Sequence, residues 1–457
     1  MEQRFKAYDQ NQDFLLPPSM RDWLPKGDLA YFLMELVDEL DLKDIYEYYE
    51  VEDRDGRMRA KARSGQPPFD PRMMTALLLY AYCNGTPSSR RIAKLCERDV
   101  GYRVITADQQ PNFRTISEFR RIHLDRLSRL FVQVLHIARE AGLVKLGHVS
   151  LDGTKVKANA SKHKAMSYGR LKDKEAEYAK KVNELLEQAE AADQQEDRRY
   201  GKEKRGDELP EELRFHQTRL AKIRQAKKAL EQKAMEEARQ AGKLHADGTP
   251  KPQERGRPRQ FEPGTPAPNK QYNFTDPESQ IMKMGNGSFD QAYNCQAAVD
   301  SKAQIIVARS VSNCPSDKQH LKPAVNQIKE NLGQKPKKLS ADSGYYSDEN
   351  VQHLQAEKID DYVCPDQLKH GERPPPVRGR PPKDLSFLDR VRRKLRTKKG
   401  ARIYGLRKQI PEPVFGQMKR CRNLKQFLLR GVEKVDGEWS LWCTGHNLIK
   451  IWAAAAA

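Results

Sequence analysis

The sequence predicts an α/β domain that follows a helical N-terminal domain and is interrupted by an antiparallel coiled-coil hairpin. Apolar residues recur at helical spacing through residues 1–145, so this region should be all-α. Residues 166–241 are rich in Ala, Glu, Lys, Gln and Arg and carry only narrow apolar stripes. Short strand and helix patterns alternate from 272 to 430, which agrees with an α/β sheet but does not select one fold. The α/β domain is therefore predicted to be discontinuous, comprising residues 146–165 and 272–452, with a flexible basic Pro/Gly-rich linker at residues 242–271.

The charge balance indicates the kind of partner. The chain has 83 Lys and Arg against 63 Asp and Glu, a formal net charge of +20 at pH 7. An excess of this size favours a polyanion, most commonly nucleic acid, although a basic but otherwise ordinary protein is the alternative. Without a bilayer-spanning apolar run or a signal-peptide pattern, we expect a cytoplasmic protein with no membrane partner. The seven cysteines are never spaced as C-x-x-C, so we expect reduced thiols and no zinc site.

The N-terminal region contains a candidate helix-turn-helix. Asp70-Pro71 supplies an N-cap and a proline for the first helical position, and Asn84-Gly85 ends that helix. The next helix carries Arg90 and Arg91, which would contact DNA, although most such helix pairs only pack together. The helices predicted in this region are Asp28–Leu42, Met73–Cys83, Arg90–Glu97 and Thr115–Ala141.

Downstream elements follow from apolar spacing and turn residues. The two arms of the coiled-coil hairpin are predicted at Leu171–Gln195 and Pro210–Gln240, turning through Gly201–Gly206. The α/β domain should contain the strands Tyr293–Val299, Gln304–Val311, Lys338–Ala341, Asp361–Cys364 and Trp439–Cys443, the helices Leu321–Leu332 and Tyr346–Lys358, and a largely helical basic region at Leu388–Leu429.

Two aspartates occupy equivalent positions in this pattern. Asp152 directly follows Val149 and Leu151, which alternate with polar neighbours as in a half-buried strand, and Gly153 comes next. Asp342 likewise follows a short apolar strand. A lone aspartate of this kind is usually a turn former, but two at the ends of separate strands suit Mg²⁺, which needs only one or two carboxylates beside phosphate oxygens. The basic run after Asp152, beginning with Lys155 and Lys157, would hold DNA phosphates.

A third carboxylate should come from an element packed beside those strands, and Glu412 is the candidate. If its segment is helical, Lys408 lies one turn before it and Lys419 two turns after it, on one face. If the site cuts a phosphodiester, the cations on that face, together with Tyr404 and Arg407, would hold the phosphates on either side of the cleaved phosphate. The alternative is an ordinary surface helix with an i,i+4 pair.

These motifs together resemble a DDE transposase of bacterial insertion sequences, in the group marked by a Y-R-E-K signature around the glutamate. The helical stretch from Gly65 to about Phe119 also resembles the domain that precedes the catalytic core in this group. The matching motifs are D-G-T-K-V-K-A-N-A-S from Asp152, Tyr293-Asn294-x-Gln296-Ala297-Ala298-Val299-Asp300, Ala341-Asp342-x-Gly344-Tyr345, and Glu412-Pro413-Val414-Phe415-Gly416 with Lys419.

The resemblance implies an RNase H-like core with Asp152 and Asp342 on adjacent strands and Glu412 on a flanking helix. It implies Mg²⁺, for which Mn²⁺ would substitute, and the cutting and joining of the element's 3′-hydroxyl ends to target DNA. The partners would be double-stranded terminal inverted repeats and target DNA, in the bacterial nucleoid. Joining two ends implies at least a homodimer on DNA. The alternatives are a metal-dependent nuclease that hydrolyses without joining, and a non-catalytic DNA-binding protein.

The sequence departs from the signature in two ways. Three residues usually separate its arginine from the glutamate, but Arg407 is separated by four and Lys408 by three, so either could fill the arginine role. Pro411 and Pro413 flank Glu412, and a proline inside a helix costs about 3 kcal/mol, so the helix should break or restart there.

An R-G-R-P tetrapeptide occurs twice in basic stretches, with arginines at Arg255 and Arg257 and again at Arg378 and Arg380. It resembles the AT-hook, in which Gly lets the backbone approach the minor groove of A·T-rich DNA and Arg reads its negative potential. The alternative is two basic linkers that share a common composition.

Overall fold

The computed structural model describes residues 19–52, 58–60, 67–200, 211–252, 260–366, 375–382 and 384–456. The chain forms two compact units, one comprising Met1–Val156 and Asn294–Ala457 and the other Lys157–Tyr293. Within the described residues, no helix is both long and apolar enough to cross a membrane.

Helices dominate the N-terminal part of the first unit, as predicted. The Asp70 carboxylate accepts hydrogen bonds from the backbone N–H groups of Arg72 (2.7 Å) and Met73 (3.2 Å), which confirms the predicted N-cap. The elements of this part are α1 (Leu29–Glu39), α2 (Lys43–Glu47), β1 (Glu50–Glu52), β2 (Met58–Ala60), α3 (Pro71–Cys83), α4 (Ser89–Arg98), α5 (Val100–Ile105) and α6 (Phe113–Glu140).

The expectation that residues 1–145 are all-α is wrong at β1 and β2. These two strands pair antiparallel, with Val51 opposite Arg59. Each has three residues, which is too short for a period-2 apolar pattern to be recognised in the sequence.

The second unit contains a helical hairpin and short strands. Strand β3 (Val149–Lys157) ends in this unit, and β7 (Phe289–Asp300) begins in it. Between them β4 pairs antiparallel with β5, and β6 pairs antiparallel with the start of β7. The remaining elements are β4 (Ala165–Ser167), α7 (Tyr168–Tyr200), α8 (Glu211–Gln240), β5 (Gln271–Asn273) and β6 (Gln280–Lys283).

Helices α7 and α8 run antiparallel. The Tyr168 hydroxyl donates to Glu231 (2.7 Å), the Lys227 ammonium donates to Glu175 (2.8 Å), and Val182 packs against Leu220. Residues later in α7 contact residues earlier in α8, so the two helices run in opposite directions. Their shared apolar core contains Leu171, Ile223, Ala226 and Leu230.

The first unit also contains a mixed sheet. Its strands lie in the order β8-β7-β3-β9-β10, with β8 antiparallel to β7, β9 parallel to β3, and β10 parallel to β9. Helix α9 packs on β8, and α12 packs on β9 and β10. The elements of this part are β8 (Ile306–Ser312), α9 (Leu321–Leu332), β9 (Lys338–Ala341), α10 (Asp348–Ala356), β10 (Asp360–Val363), α11 (Phe387–Arg396), α12 (Lys398–Gln409), α13 (Pro411–Gly416) and α14 (Val432–Ala455).

The predicted C-terminal strand Trp439–Cys443 is wrong, because these residues lie inside α14. A short apolar run fits a buried helix as well as a strand, and α14 is buried along most of its length. It packs against α3, α6 and β8, so helices from the N-terminal region and a strand of the sheet share one core. Trp439 and Trp442 are among the largest fully buried side chains there.

Candidate active site

Asp152 and Asp342 are brought together by two neighbouring parallel strands. Leu151 of β3 is the register partner of Ala341, the last residue of β9, so an aspartate comes next on each side, Asp152 within β3 and Asp342 just past β9. Neighbouring strands are about 4.8 Å apart in the hydrogen-bonding direction. Strand β3 does not end at Asp152, as the sequence suggested, but continues to Lys157. Asp152 therefore lies inside a strand, whereas Asp342 begins a turn after one.

Both carboxylates are oriented by backbone N–H groups. Asp152 Oδ1 accepts from the Gly153 N–H at 2.8 Å, and Asp342 Oδ1 accepts from the Gly344 N–H at 2.9 Å. These bonds hold each side chain close to its own backbone.

The pKa of Asp152 is shifted by charged groups that lie near it. The pKa of Asp152 is raised to about 7, mainly by burial and also by the negative charges of Asp342 and Glu412. The Gly153 N–H and the Arg407 guanidinium act in the opposite direction and lower this pKa. Asp152, Asp342, Glu412 and Arg407 are thus close enough to interact. Repulsion between the carboxylates would be relieved by a bound cation.

Glu412 lies just past the helix break that its flanking prolines predict. Helix α12 ends at Gln409, and α13 begins with Pro411 in its first turn. Glu412 is in that first turn and is exposed, unlike Asp152.

The cations near the carboxylates are Arg407 and Lys419. The Arg407 guanidinium lies 5.4 Å from the centre of the Tyr404 ring, whereas Lys408 is exposed. The Lys419 ammonium donates to the Lys155 carbonyl at 2.9 Å. Burial lowers the pKa of Lys419, while Cys295 and Asp152 raise it.

The other basic residues predicted from the sequence lie elsewhere. Arg90 and Arg91 are exposed on α4, and Arg90 lies 5.2 Å from the centre of the Phe113 ring. Within the second unit, Lys157 pairs with Asp290 at 2.9 Å. Arg255 and Arg257 lie outside the described residues.

The second R-G-R-P segment is held against α11. The Arg393 guanidinium donates to the carbonyls of Arg378 (3.2 Å), Gly379 (2.9 Å) and Arg380 (3.3 Å). Gly379 has a φ of +82°, a left-handed conformation that glycine adopts readily. The side chains of Arg378 and Arg380 are exposed.

Residues that the sequence reasoning missed form a polar network beside the two aspartates. Asp317 Oδ1 accepts from Asn294 Nδ2 (2.7 Å), Gln296 Nε2 (2.9 Å) and Lys155 Nζ (3.4 Å). The Tyr345 hydroxyl donates to Gln296 Oε1. Asn294, Gln296 and Tyr345 stand in the motifs quoted above, but Asp317 lies in a loop with no periodicity that could have indicated it.

The carboxylates of the site can be matched to a divalent metal only in part. Among the described residues, no group of three or more His, Cys, Asp and Glu side chains is arranged to hold a metal ion. The adjacent pair Asp152 and Asp342 still fits Mg²⁺, since this ion is usually held by one or two carboxylates together with waters and substrate phosphates.

Comparison with protein-family models identifies the class of protein. Residues 18–121 match a Transposase domain (DUF772), and residues 249–448 match a Transposase DDE domain. The second match includes Asp342 and Glu412, whereas Asp152 lies between the two matches. No curated protein and no solved structure matches the chain.

The two matches define a transposase with an RNase H-like α/β core, which agrees with the mixed sheet described above. Together they support a DDE transposase of an insertion element, as the sequence motifs suggested. This family implies DNA binding and an enzyme of the transposase or nuclease type.

Proposed function

We propose that this protein cleaves the ends of an insertion sequence and transfers their 3′-hydroxyls into target DNA. Asp152, Asp342 and Glu412 are the proposed catalytic residues and metal ligands. The observation that carries this proposal is the register of β3 and β9, which makes Asp152 and Asp342 neighbours. The influence of Glu412 on the pKa of Asp152 supports its inclusion as the third carboxylate.

Mg²⁺ is the proposed cofactor, with Mn²⁺ as a substitute. When bound, divalent ions in such sites activate the attacking oxygen and stabilise the leaving oxygen of an in-line displacement at phosphorus. Asp152 and Asp342 would hold the metal from the sheet, and Glu412 of α13 is proposed as the third ligand, although among the described residues the three carboxylates are not arranged as a preformed metal site. Arg407 and Lys419 would neutralise the phosphates that flank the cleaved bond, and Tyr404 would keep the Arg407 guanidinium in place.

Basic side chains elsewhere are proposed to hold double-stranded DNA, both the terminal inverted repeats and the target. Their exposure supports this for Arg90 and Arg91 on α4, which follows the buried helix α3. Binding through phosphates should weaken steeply as salt rises. We also propose that the protein is a homodimer on DNA ends and associates with the nucleoid. The further residues proposed for DNA contact are Lys155, Lys157, Lys408, Arg255, Arg257, Arg378 and Arg380.

The α7–α8 hairpin is proposed to be an antiparallel coiled coil that mediates dimerisation or contacts DNA. Its interhelical pairs, such as Lys227 with Glu175, and its narrow apolar core support this proposal. Deleting residues 170–240 should impair pairing of two DNA ends, measured by gel shift and cross-linking. Unchanged pairing after the deletion would remove both roles.

A plasmid assay tests the main proposal. A supercoiled plasmid carrying the DNA that flanks the gene is incubated with protein and Mg²⁺, and a second supercoiled plasmid serves as target. Cleavage at the element ends followed by joined products is the expected result. Cleavage without joining would indicate a nuclease on the same core. Specific binding without cleavage in Mg²⁺ or Mn²⁺ would indicate a non-catalytic DNA-binding protein.

A further inference from the structure

We propose that Asp317 is a positioning residue that holds the two aspartate-bearing segments in their relative places. This inference rests on the proposed function of Asp152 and Asp342. Asp317 precedes the short 3-10 helix Lys318–His320, and its side chain is 22% exposed. It accepts hydrogen bonds from two amides, Asn294 and Gln296, and from the Lys155 ammonium. One carboxylate therefore joins β3, β7 and the loop before α9.

Two glycines lie beside this carboxylate, and at Gly153 the space is tighter than an ordinary Cβ contact. A Cβ atom at Gly153 would lie 3.2 Å from Asp317 Oδ1 and only 2.6 Å from Gln296 Nε2. A Cβ atom at Gly344 would lie 3.4 Å from Asp317 Oδ2. Gly153 follows Asp152 directly, and Gly344 donates its N–H to Asp342. The carboxylate of Asp317 is thus packed between the backbone segments that orient both aspartates.

The contacts of Asp317 lead by a short path to Asp342 on one side, and on the other side they hold Lys155, which follows Asp152 on β3. On one side, Gln296 accepts from the Tyr345 hydroxyl, and the Tyr345 N–H donates to the Asp342 carbonyl at 3.2 Å. Burial raises the pKa of Tyr345 well above its usual range, and Asp317, Asp152 and Asp342 raise it further, so its hydroxyl remains a donor. On the other side, Asp317 holds Lys155, whose carbonyl accepts from Lys419.

Two substitutions separate the functions of this carboxylate. Asp317→Asn keeps an oxygen that can accept from Asn294 and Gln296 but removes the charge that faces Lys155. Asp317→Ala removes all three contacts. Asp348→Asn is the matched control, because Asp348 is an exposed aspartate that accepts one hydrogen bond, from Tyr346 at 2.7 Å.

The variants are compared by plasmid cleavage over a Mg²⁺ titration, by Mn²⁺ binding measured with electron paramagnetic resonance without DNA, by gel shift and by thermal unfolding. Residues that orient metal ligands typically change activity or metal affinity about 10- to 100-fold. We expect a loss of about tenfold in cleavage for Asp317→Asn and about a hundredfold for Asp317→Ala, with weaker Mn²⁺ binding and no loss of DNA affinity. Asp348→Asn should match the wild type in every assay.

The outcomes distinguish this inference from the proposed function. If the wild type cleaves and both Asp317 variants cleave and bind Mn²⁺ as it does, the inference is overturned while the function stands. If both variants lose DNA binding and thermal stability in proportion to cleavage, Asp317 is only structural and the inference is overturned. If the wild type binds Mn²⁺ through Asp152 but does not cleave, the function fails, and weaker Mn²⁺ binding by Asp317→Asn still supports the inference. A wild type that neither cleaves nor binds Mn²⁺ overturns both.

Discussion

The two halves of the candidate active site are built differently. Asp152 and Asp342 directly follow Leu151 and Ala341, which are register partners on paired strands and are completely buried. Glu412 is exposed on a short helix that begins just after a helix break. Backbone hydrogen bonds of a buried sheet therefore place the two aspartates, and their separation should resist local changes. The position of Glu412 depends on the contacts that hold the break between α12 and α13.

Side chains from outside α12 and α13 hold that break. The Gln304 side-chain amide donates to the carbonyls of Gln409 (3.2 Å) and Ile410 (3.4 Å). The His446 ring contacts the Gln304 carbonyl through Nε2 and the Arg422 guanidinium through Nδ1, both at 2.9 Å. Arg422 directly follows the helical segment Gln417–Cys421, which comes after α13 and carries Lys419. The glutamate half should therefore be the more sensitive to single substitutions and to pH.

The largest effect is expected at the sheet. Asp152→Asn should abolish cleavage, with a loss of at least about a thousandfold, because a proposed metal ligand is removed. Stability should be unchanged or slightly higher, since the raised pKa of Asp152 shows that its charged form is disfavoured by burial and by Asp342. Plasmid cleavage, gel shift and thermal unfolding measure these effects. A variant that binds DNA and still cleaves would exclude Asp152 from the mechanism.

The second prediction decides which cation serves the site. Arg407→Met should reduce cleavage roughly a hundredfold, because the charge of Arg407, unlike that of Lys408, is among those that lower the pKa of Asp152. Lys408→Met is the comparison on the same helix: as an exposed residue proposed only to contact DNA, Lys408 should affect DNA affinity in gel shift, while cleavage at saturating DNA stays within about threefold of the wild type. The reverse order of effects would assign the arginine role of the signature to Lys408.

The sequence allowed the sheet half of the site to be predicted better than the helix half. Asp152 and Asp342 could be paired because each comes after a short apolar run that predicts a strand, and the family resemblance implies that these strands are adjacent. Pro411 and Pro413 also predicted the break before Glu412. The choice between Arg407 and Lys408 could not be made, because a helix break changes the rotation between residues on its two sides.

Two other features needed tertiary structure. Helix α14 was mistaken for a strand at Trp439–Cys443, since a helix buried on all sides lacks the polar face that reveals helical periodicity. The role of Asp317 could not be predicted from the sequence, because its partners are distant along the chain: Asn294 and Gln296 are 23 and 21 residues away, and Lys155 is 162 residues away. The α7–α8 arms, in contrast, were recognised within a few residues because their stripes are local.

The third prediction concerns pH. The pKa of His446 is lowered from 6.5 to about 3, mainly by burial and also by the charge of Arg422. Below pH 6.5 the unfolded chain takes up a proton that the folded protein excludes, so this contribution to stability is complete above pH 6.5 and is lost as the pH falls toward 3. His446→Gln should reduce the slope of unfolding free energy against pH by up to about 1.4 kcal/mol per unit. Denaturant unfolding from pH 7 to pH 5 measures it.

The same dependence should remain in part in this variant, because burial also lowers the pKa values of His123 and His148 to about 4. An identical slope in the variant and the wild type would show that His446 titrates normally. The contact between His446 and Arg422 would then not hold the glutamate half of the site.

The smallest expected effect tests the hydrogen bonds at the break directly. Gln304 has a φ of +59°, so a substitution there can change backbone strain as well as side-chain contacts. Gln304→Asn tolerates this conformation but is too short to reach the Gln409 and Ile410 carbonyls. Gln304→Gly relieves any strain and removes the same contacts.

Each variant should lose about 1 kcal/mol of side-chain hydrogen bonding, with glycine regaining part through the backbone. Both should cleave a few-fold more slowly than the wild type because Glu412 is less well placed. If the two variants differ in thermal stability but share the same loss of cleavage, the side-chain contact is the cause. If cleavage follows stability instead, the break is held by packing of Ile410 and Val414, which are 5% and 0% exposed, and the glutamate half is as rigid as the sheet.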